Sequence, residues 1–235
     1  MLRTLRFALL LLALPALAVH AEAPKAQPYP AASTVDLLKL LAPPPSAEAT
    51  QKELAEMLTL QKLRSADEAA YCKADQSISV FRFQDVLGPD FTESKLPKTA
   101  AFFSRVLATS YVPVDKAKNF WGRPRPSVAD PEILPCVDVP KSPAYPSGHS
   151  TAGNLMAIVL SQMLPERAAE LHARGRLFGF HRVLGGVHYP SDVAGGEICA
   201  AVVAQALAAD PEYHADLKAA TEELRAVLKA DPDKR

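Results

Sequence analysis

Arg182, His188 and Asp192 follow one another as Arg-x5-His-x3-Asp. His188 is expected in the turn before a helix that Asp192 opens, with Ser191 as its cap. That spacing lets a carboxylate hold one imidazole nitrogen and leaves the other free as a base or nucleophile. A purely structural His–Asp contact uses the same spacing, and the residues alone do not separate the two. Metal ligation is the weaker use, because no further His or Cys cluster supplies a third ligand. A second block, Pro146-Ser147-Gly148-His149, opens a helix. Its first amides and positive dipole end can hold an anion, Gly148 permits close approach, and Ser147 adds a hydroxyl. The third block is Lys118-x6-Arg125-Pro126, although Lys116-x6-Arg123-Pro124 has the same spacing. Lys118 shares an apolar helix face with Val114 and Trp121, and Pro126 restricts Arg125 to an extended backbone. Lys118 and Arg125 are therefore the preferred register, and Lys116 and Arg123 are expected to be solvated.

These groups need elements to carry them, and the pattern between them is helical. Ser46 is placed to cap a helix to about Leu63, and Ser65-x-x-Glu68 is a capping-box signature. Helices are expected over 99–112 and 114–121, separated by Pro113, then over about 148–163, 166–180 and 192–209. Asp210-Pro211 sets the start of a last helix, with Leu217, Leu224 and Leu228 inward. Six prolines within 123–143 make that region a long ordered loop. On three helices a polar group continues the apolar stripe. His149 leads Ala152, Met156, Val159 and Met163; Arg182 follows Leu171, Gly175 and Phe178; Asp192 precedes Gly195, Gly196, Cys199 and Val203. Buried charges of this kind need partners, since an unpaired one costs several kcal/mol, on the order of 3–5. The fold class is a single all-α helical-bundle domain.

Of the 235 residues, 49% are apolar and 22% charged, which excludes a disordered or disulfide-scaffold protein. Lys+Arg 26 against Asp+Glu 26 leaves no basic footprint for nucleic acid. Arg3 and Arg6 followed by an apolar run from Phe7 to Val19 read as a secretory signal over 1–21, too short to span a membrane. Residues 22–45 form a Pro-rich arm, and 46–235 form the helical domain. The arm has the length to wrap a neighbouring copy, so a homodimer is one expectation. Three cysteines, Cys72, Cys136 and Cys199, permit at most one bridge, and the sequence does not choose the pair.

The three blocks appear in order as KNFWGRPRP, YPSGHS and HRVLGGVHYPSD. Together they resemble the signature of the phosphatidic acid phosphatase type 2 superfamily. Nineteen residues separate Pro126 from Pro146, and 31 separate His149 from His181. The leader, the segment LLKLLAPPPSAEA, the phrase AKNFWGRPRP and the helical C-terminus are similar to the class A bacterial non-specific acid phosphatases. One departure is His181, which stands where that family usually has Ser before the arginine. The resemblance implies a helical bundle of the phosphatase/haloperoxidase type. It also implies that Lys118, Arg125 and Arg182, with Ser147 and the Gly148 amide, surround the phosphoryl oxygens. His188 would attack phosphorus with Asp192 holding its tautomer, and His149 would serve the leaving group. No metal or cofactor is implied. Substrates would be phosphate monoesters, inhibitors would be phosphate and vanadate, and the site of action would be the periplasm. Three alternatives share the pocket. They are a membrane lipid phosphatase, which would need several long apolar helices, a vanadate-dependent haloperoxidase, and a phosphate-binding protein without turnover.

Overall fold

In a computed structural model of the chain, residues 26–229 are described. The expected leader lies outside them. Seven main helices follow in order: α1 (Ala47–Leu63), α2 (Ala66–Ala74), α3 (Pro97–Trp121), α4 (Gly148–Met163), α5 (Ala168–Leu184), α6 (Pro190–Leu207) and α7 (Pro211–Lys229). There is no strand among the described residues.

The centre is α4, whose residues Ala152, Leu155, Met156, Val159 and Met163 have no exposed surface. Helices α5 and α6 pack against it closely because small residues line the seams. A Cβ on Gly153 would sit 2.5 Å from the Gly175 carbonyl oxygen, so the α4–α5 seam tolerates no side chain there. Across the bundle, α3 and α7 pair through Phe102 and Tyr213, whose rings lie 5.5 Å apart. Burial of these apolar faces supplies the main driving force, roughly 25 cal/mol per Å² removed from water.

The caps predicted for α1 and α2 form. Ser46 accepts from the Ala49 amide, and Ser65 and Glu68 satisfy each other's backbone amides reciprocally. Four expectations need correction. First, Pro113 does not divide α3, which runs unbroken from Pro97 to Trp121. Phe103 and Val106 before it and Val114 and Ala117 after it bury into one core, which offsets the ~3 kcal/mol an internal proline costs. Second, α5 continues to Leu184, four residues past the expected end, because Arg182, Val183 and Leu184 are all buried. Third, α6 starts at Pro190 with Tyr189 as its cap position, not at Asp192 behind Ser191. Fourth, the arm is not simply extended. It makes a 3-10 turn (Pro30–Thr34) and one helical turn (Leu37–Leu40) against its own chain. Tyr29 is buried there, with its hydroxyl donating to Asp216 at 2.7 Å.

No single described helix is long and apolar enough to cross a membrane. Helices α6 and α7 pass such a test only as a pair, bent by 99°.

Candidate active site

The end of α5 and the start of α6 create the site through one tight reversal. Gly185 and Gly186 follow α5, and Gly186 has φ +78°, a conformation that L side chains rarely adopt. The chain then doubles back, so the amides of Val187 and His188 both donate to the Arg182 carbonyl, at 3.0 and 3.2 Å. An arginine six residues away in sequence is thereby placed beside His188.

His188 is buried, and its Nδ1 donates to Asp192 Oδ2 at 3.1 Å. Its Nε2 lies 2.8 Å from Arg125 Nη1. Guanidinium nitrogens only donate, so Nε2 is the acceptor and carries no proton. The imidazole is neutral and held in the Nδ1–H tautomer, with its lone pair capped by Arg125. Burial pushes the His188 pKa well below its usual value, and the charges of Arg125, Lys118, Arg182 and His149 push the same way.

Asp192 has no exposed surface, and burial raises its carboxyl pKa against the pull of Arg123. Its Oδ2 also accepts from the Tyr189 amide at 2.9 Å. Its Oδ1 accepts from Arg123 Nη1 at 2.6 Å. This contradicts the expected solvation of Arg123. The side chain is buried, lies 3.8 Å over the Tyr189 ring, and also donates to Glu53 at 2.8 Å. Glu53, from α1, in turn accepts from the Ser191 amide at 2.6 Å. Lys116 does point outward, with a 3.5 Å contact to Asp36.

The preferred cations come together. Lys118 is buried near the end of α3 and donates to the carbonyls of Pro143 and Ala144 at 2.8 and 3.2 Å. Burial, and then Arg125, pull its ammonium down to about 7. Arg125 spends all five N–H groups on the Ser142 carbonyl and hydroxyl, the carbonyls of Pro143 and Val187, and His188. Arg182 is different. Only 1% exposed, its Nε and Nη1 have no partner among the described residues. Leaving a buried guanidinium half unpaired is costly, and an anion bound there would repay that cost.

Ser147 is the cap residue of α4, accepting from the Ser150 amide at 3.3 Å, and its own amide donates to the Asp192 carbonyl at 2.9 Å. The α4 N-terminus is thus tied directly to the start of α6. Around Gly148, the nearest atom to an added Cβ is Lys118 Cε at 4.0 Å, so the helix start stays open towards that cation. His149 is partly accessible, and its Nε2 lies 3.1 Å from the Gln76 carbonyl oxygen. Burial and the charge of Arg182 lower its pKa to about 4. All eight sequence-predicted site residues therefore gather at the meeting of α3, α4, α5 and α6.

Three contributors were missed. Arg123 carried a signal, since it precedes Pro124 and shares the Lys-x6-Arg-Pro spacing with Lys116, but that spacing read equally as surface. Glu53 is one of several acids on α1, and nothing in its spacing sets it apart. The Gln76 carbonyl is backbone and has no sequence signature. His181, at the departure from the family pattern, donates from Nδ1 to the buried Asp75 at 2.7 Å, which also accepts from Arg174 and Arg82. Among the described residues no group of three His, Cys, Asp or Glu is disposed to hold a metal ion.

The PAP2 superfamily model matches residues 99–215 of the chain. An acid phosphatase of Zymomonas mobilis is 31% identical over 200 residues, covering 80% of this chain and 75% of the relative. A non-specific acid phosphatase of Salmonella typhimurium is 36% identical over 149 residues, covering 60% of this chain and 59% of the relative. Among solved structures, a bacterial vanadium-dependent iodoperoxidase superposes with TM-score 0.57 at 17% identity. That match covers 72% of this chain and 52% of the other, a likeness of fold alone. The chain belongs to the PAP2 superfamily and, within it, to the class A bacterial non-specific acid phosphatases.

Proposed function

We propose that the chain hydrolyses phosphate monoesters through a phosphohistidine on His188, without a metal ion. The observation that carries this reading is the neutral, Asp192-held imidazole, whose unprotonated Nε2 faces Arg125 within a ring of cations. A monoester phosphoryl group would be drawn by the idle Arg182 N–H groups, by Lys118 and by the α4 N-terminus with Ser147 and Gly148. Its oxygens would compete for Arg125 Nη1 and so uncap the His188 lone pair. Nε2 then attacks phosphorus, the P–O bond to the leaving group breaks, and His149 gives the alkoxide its proton. In the second half, His149 takes a proton from water, the water oxygen attacks phosphorus, and the P–N bond breaks to release phosphate. Charge on the equatorial oxygens is met throughout by three cationic side chains.

The cleft of about 570 Å³ lined by Lys73, Gln76, Ser77 and Pro135–Asp138 adjoins His149 through Gln76. It is the side from which the leaving alcohol would depart. Export is part of the proposal and rests on Arg3, Arg6 and the apolar run that follows them. A panel of aryl, alkyl, sugar and nucleotide monophosphates at pH 5–6 tests the reading on the protein freed of its leader. Release of alcohol and phosphate from several of them supports it. Tight phosphate binding with no turnover of any would overturn it.

A further inference from the structure

We infer that Cys72 and Cys136 are a modification site, forming an intramolecular disulfide that clamps α2 to the proline-rich loop beside the proposed acid. All three cysteines are free thiols in the structure, but only Cys72 and Cys136 act on one another electrostatically. The surrounding geometry holds them together independently. Gln76 follows Cys72 by four residues, in the turn that ends α2. Its amide grips Asp138, two residues beyond Cys136: the side-chain nitrogen donates to the carboxylate, and the side-chain oxygen accepts from the Asp138 amide at 3.1 Å. The Cys136 amide donates to the Gly185 carbonyl at 3.2 Å, which anchors the loop from its other side. Cys199 stands apart, buried on α6 and within reach of Thr151 and Lys118.

The chemistry is thiol–disulfide exchange with a soluble disulfide such as oxidised glutathione. Cys136 is partly accessible while Cys72 has no exposed surface, so exchange starts at Cys136. Its thiolate attacks the donor disulfide and expels one donor thiol. Cys72 then gives up its proton and attacks the Cys136 sulfur, expelling the second donor thiol. Two electrons and two protons pass from the protein thiols to the donor, and one S–S bond remains. Burial and the neighbouring Cys136 raise the Cys72 thiol to about 12, while Arg64 and Arg182 oppose that rise. The second step therefore depends on these two cations.

The bridge would do more than close a loop. The Gln76 carbonyl that accepts from His149 belongs to the segment being clamped, and Arg182 senses Cys72, Cys136 and Asp138 electrostatically. Oxidation thus fixes the mount of the leaving-group acid, an effect that rests on the phosphohistidine reading. The thiol count does not rest on it.

The test is alkylation of the purified protein in denaturant after equilibration with oxidised glutathione, followed by peptide mass analysis. The expected result is one free thiol, Cys199, and a cross-linked pair of peptides carrying Cys72 and Cys136. Reduction should lower Tm by about 10 °C. It should also reduce turnover of an alkyl phosphate about threefold more than that of 4-nitrophenyl phosphate, whose leaving group needs little protonation. The partly exposed position allows a mild control: Cys136→Ser should show two free thiols before and after oxidation. Three free thiols in the oxidised wild-type protein, a bridge to Cys199, or a bridge between two chains would each overturn the inference. An unchanged alkyl-to-aryl ratio in protein shown to bridge would overturn the positioning role.

Discussion

Arg125 Nη1 sits 2.8 Å from His188 Nε2, so the nitrogen proposed to attack phosphorus is capped by a cation. The contact fixes the protonation state of the ring and marks the place that a phosphoryl group must take. Arg125→Lys keeps a charge but loses the fork that reaches Val187, Ser142 and His188 together. It should lose about 10²-fold in kcat/KM, measured by steady-state kinetics. Near wild-type activity would mean that the charge alone suffices.

Arg123 supports the same histidine from behind. Arg123→Ala strips the buried Asp192 of its shortest partner, and breaking such a pair costs about 3–5 kcal/mol. Thermal or urea unfolding should show this loss, with activity falling by at least about tenfold. Lys116→Ala should change activity less than about twofold, because its contact is exposed. Equal effects of the two substitutions would contradict the arrangement.

How far the sequence carried this arrangement depended on how local each signal was. The stripes that end in His149, Arg182 and Asp192 were legible, because a buried helix face repeats every three to four residues and the polar group extends it. The register at Lys118 and Arg125 followed from the same reasoning. Arg123 was misread because its burial is decided by Glu53 on α1, 70 residues away. Pro113 misled for a similar reason: a local breaker was outweighed by a core that receives both halves of α3. Burial of Arg182, Val183 and Leu184 carries α5 further than expected, and the Gly185-Gly186 reversal then brings His188 back to Arg182.

The pH dependence has a definite sign. In the free enzyme His149 is held at about 4 and Lys118 at about 7, both by burial first. His188 stays neutral across the working range, since its pKa is depressed too. Protonated His149 and charged Lys118 are both lost as pH rises, so kcat/KM should fall from the acid side. The limb in kcat should lie higher, because a bound anion favours both protonated forms. Parallel profiles of the two parameters check this, and an optimum above pH 8 would contradict it.

Lys118 gives a separate prediction for binding. As pH rises through about 7 the group of cations loses one positive charge, so inhibition by phosphate should weaken about tenfold between pH 6.5 and 8.5. Lys118→Met should bind phosphate weakly with little of that pH dependence. Exhaustive treatment with EDTA should leave activity intact, while vanadate inhibits. Loss on chelation that zinc or magnesium restores would contradict metal independence.

The central claim is the covalent bond from phosphorus to His188. His149→Asn should slow both protonation of the leaving oxygen and hydrolysis of the intermediate. With 4-nitrophenyl phosphate, which leaves readily without a proton, the phosphoenzyme should accumulate. Rapid quenching without acid and peptide mass analysis should find one phosphoryl group, on the peptide that contains Gly186-Val187-His188-Tyr189. A second substitution, His188→Ala, should abolish both the label and turnover, and Asp192→Asn should slow labelling by orders of magnitude, about 10⁴-fold where an orienting carboxylate has been removed elsewhere. A label on Ser147, or turnover that persists in His188→Ala, would contradict the mechanism.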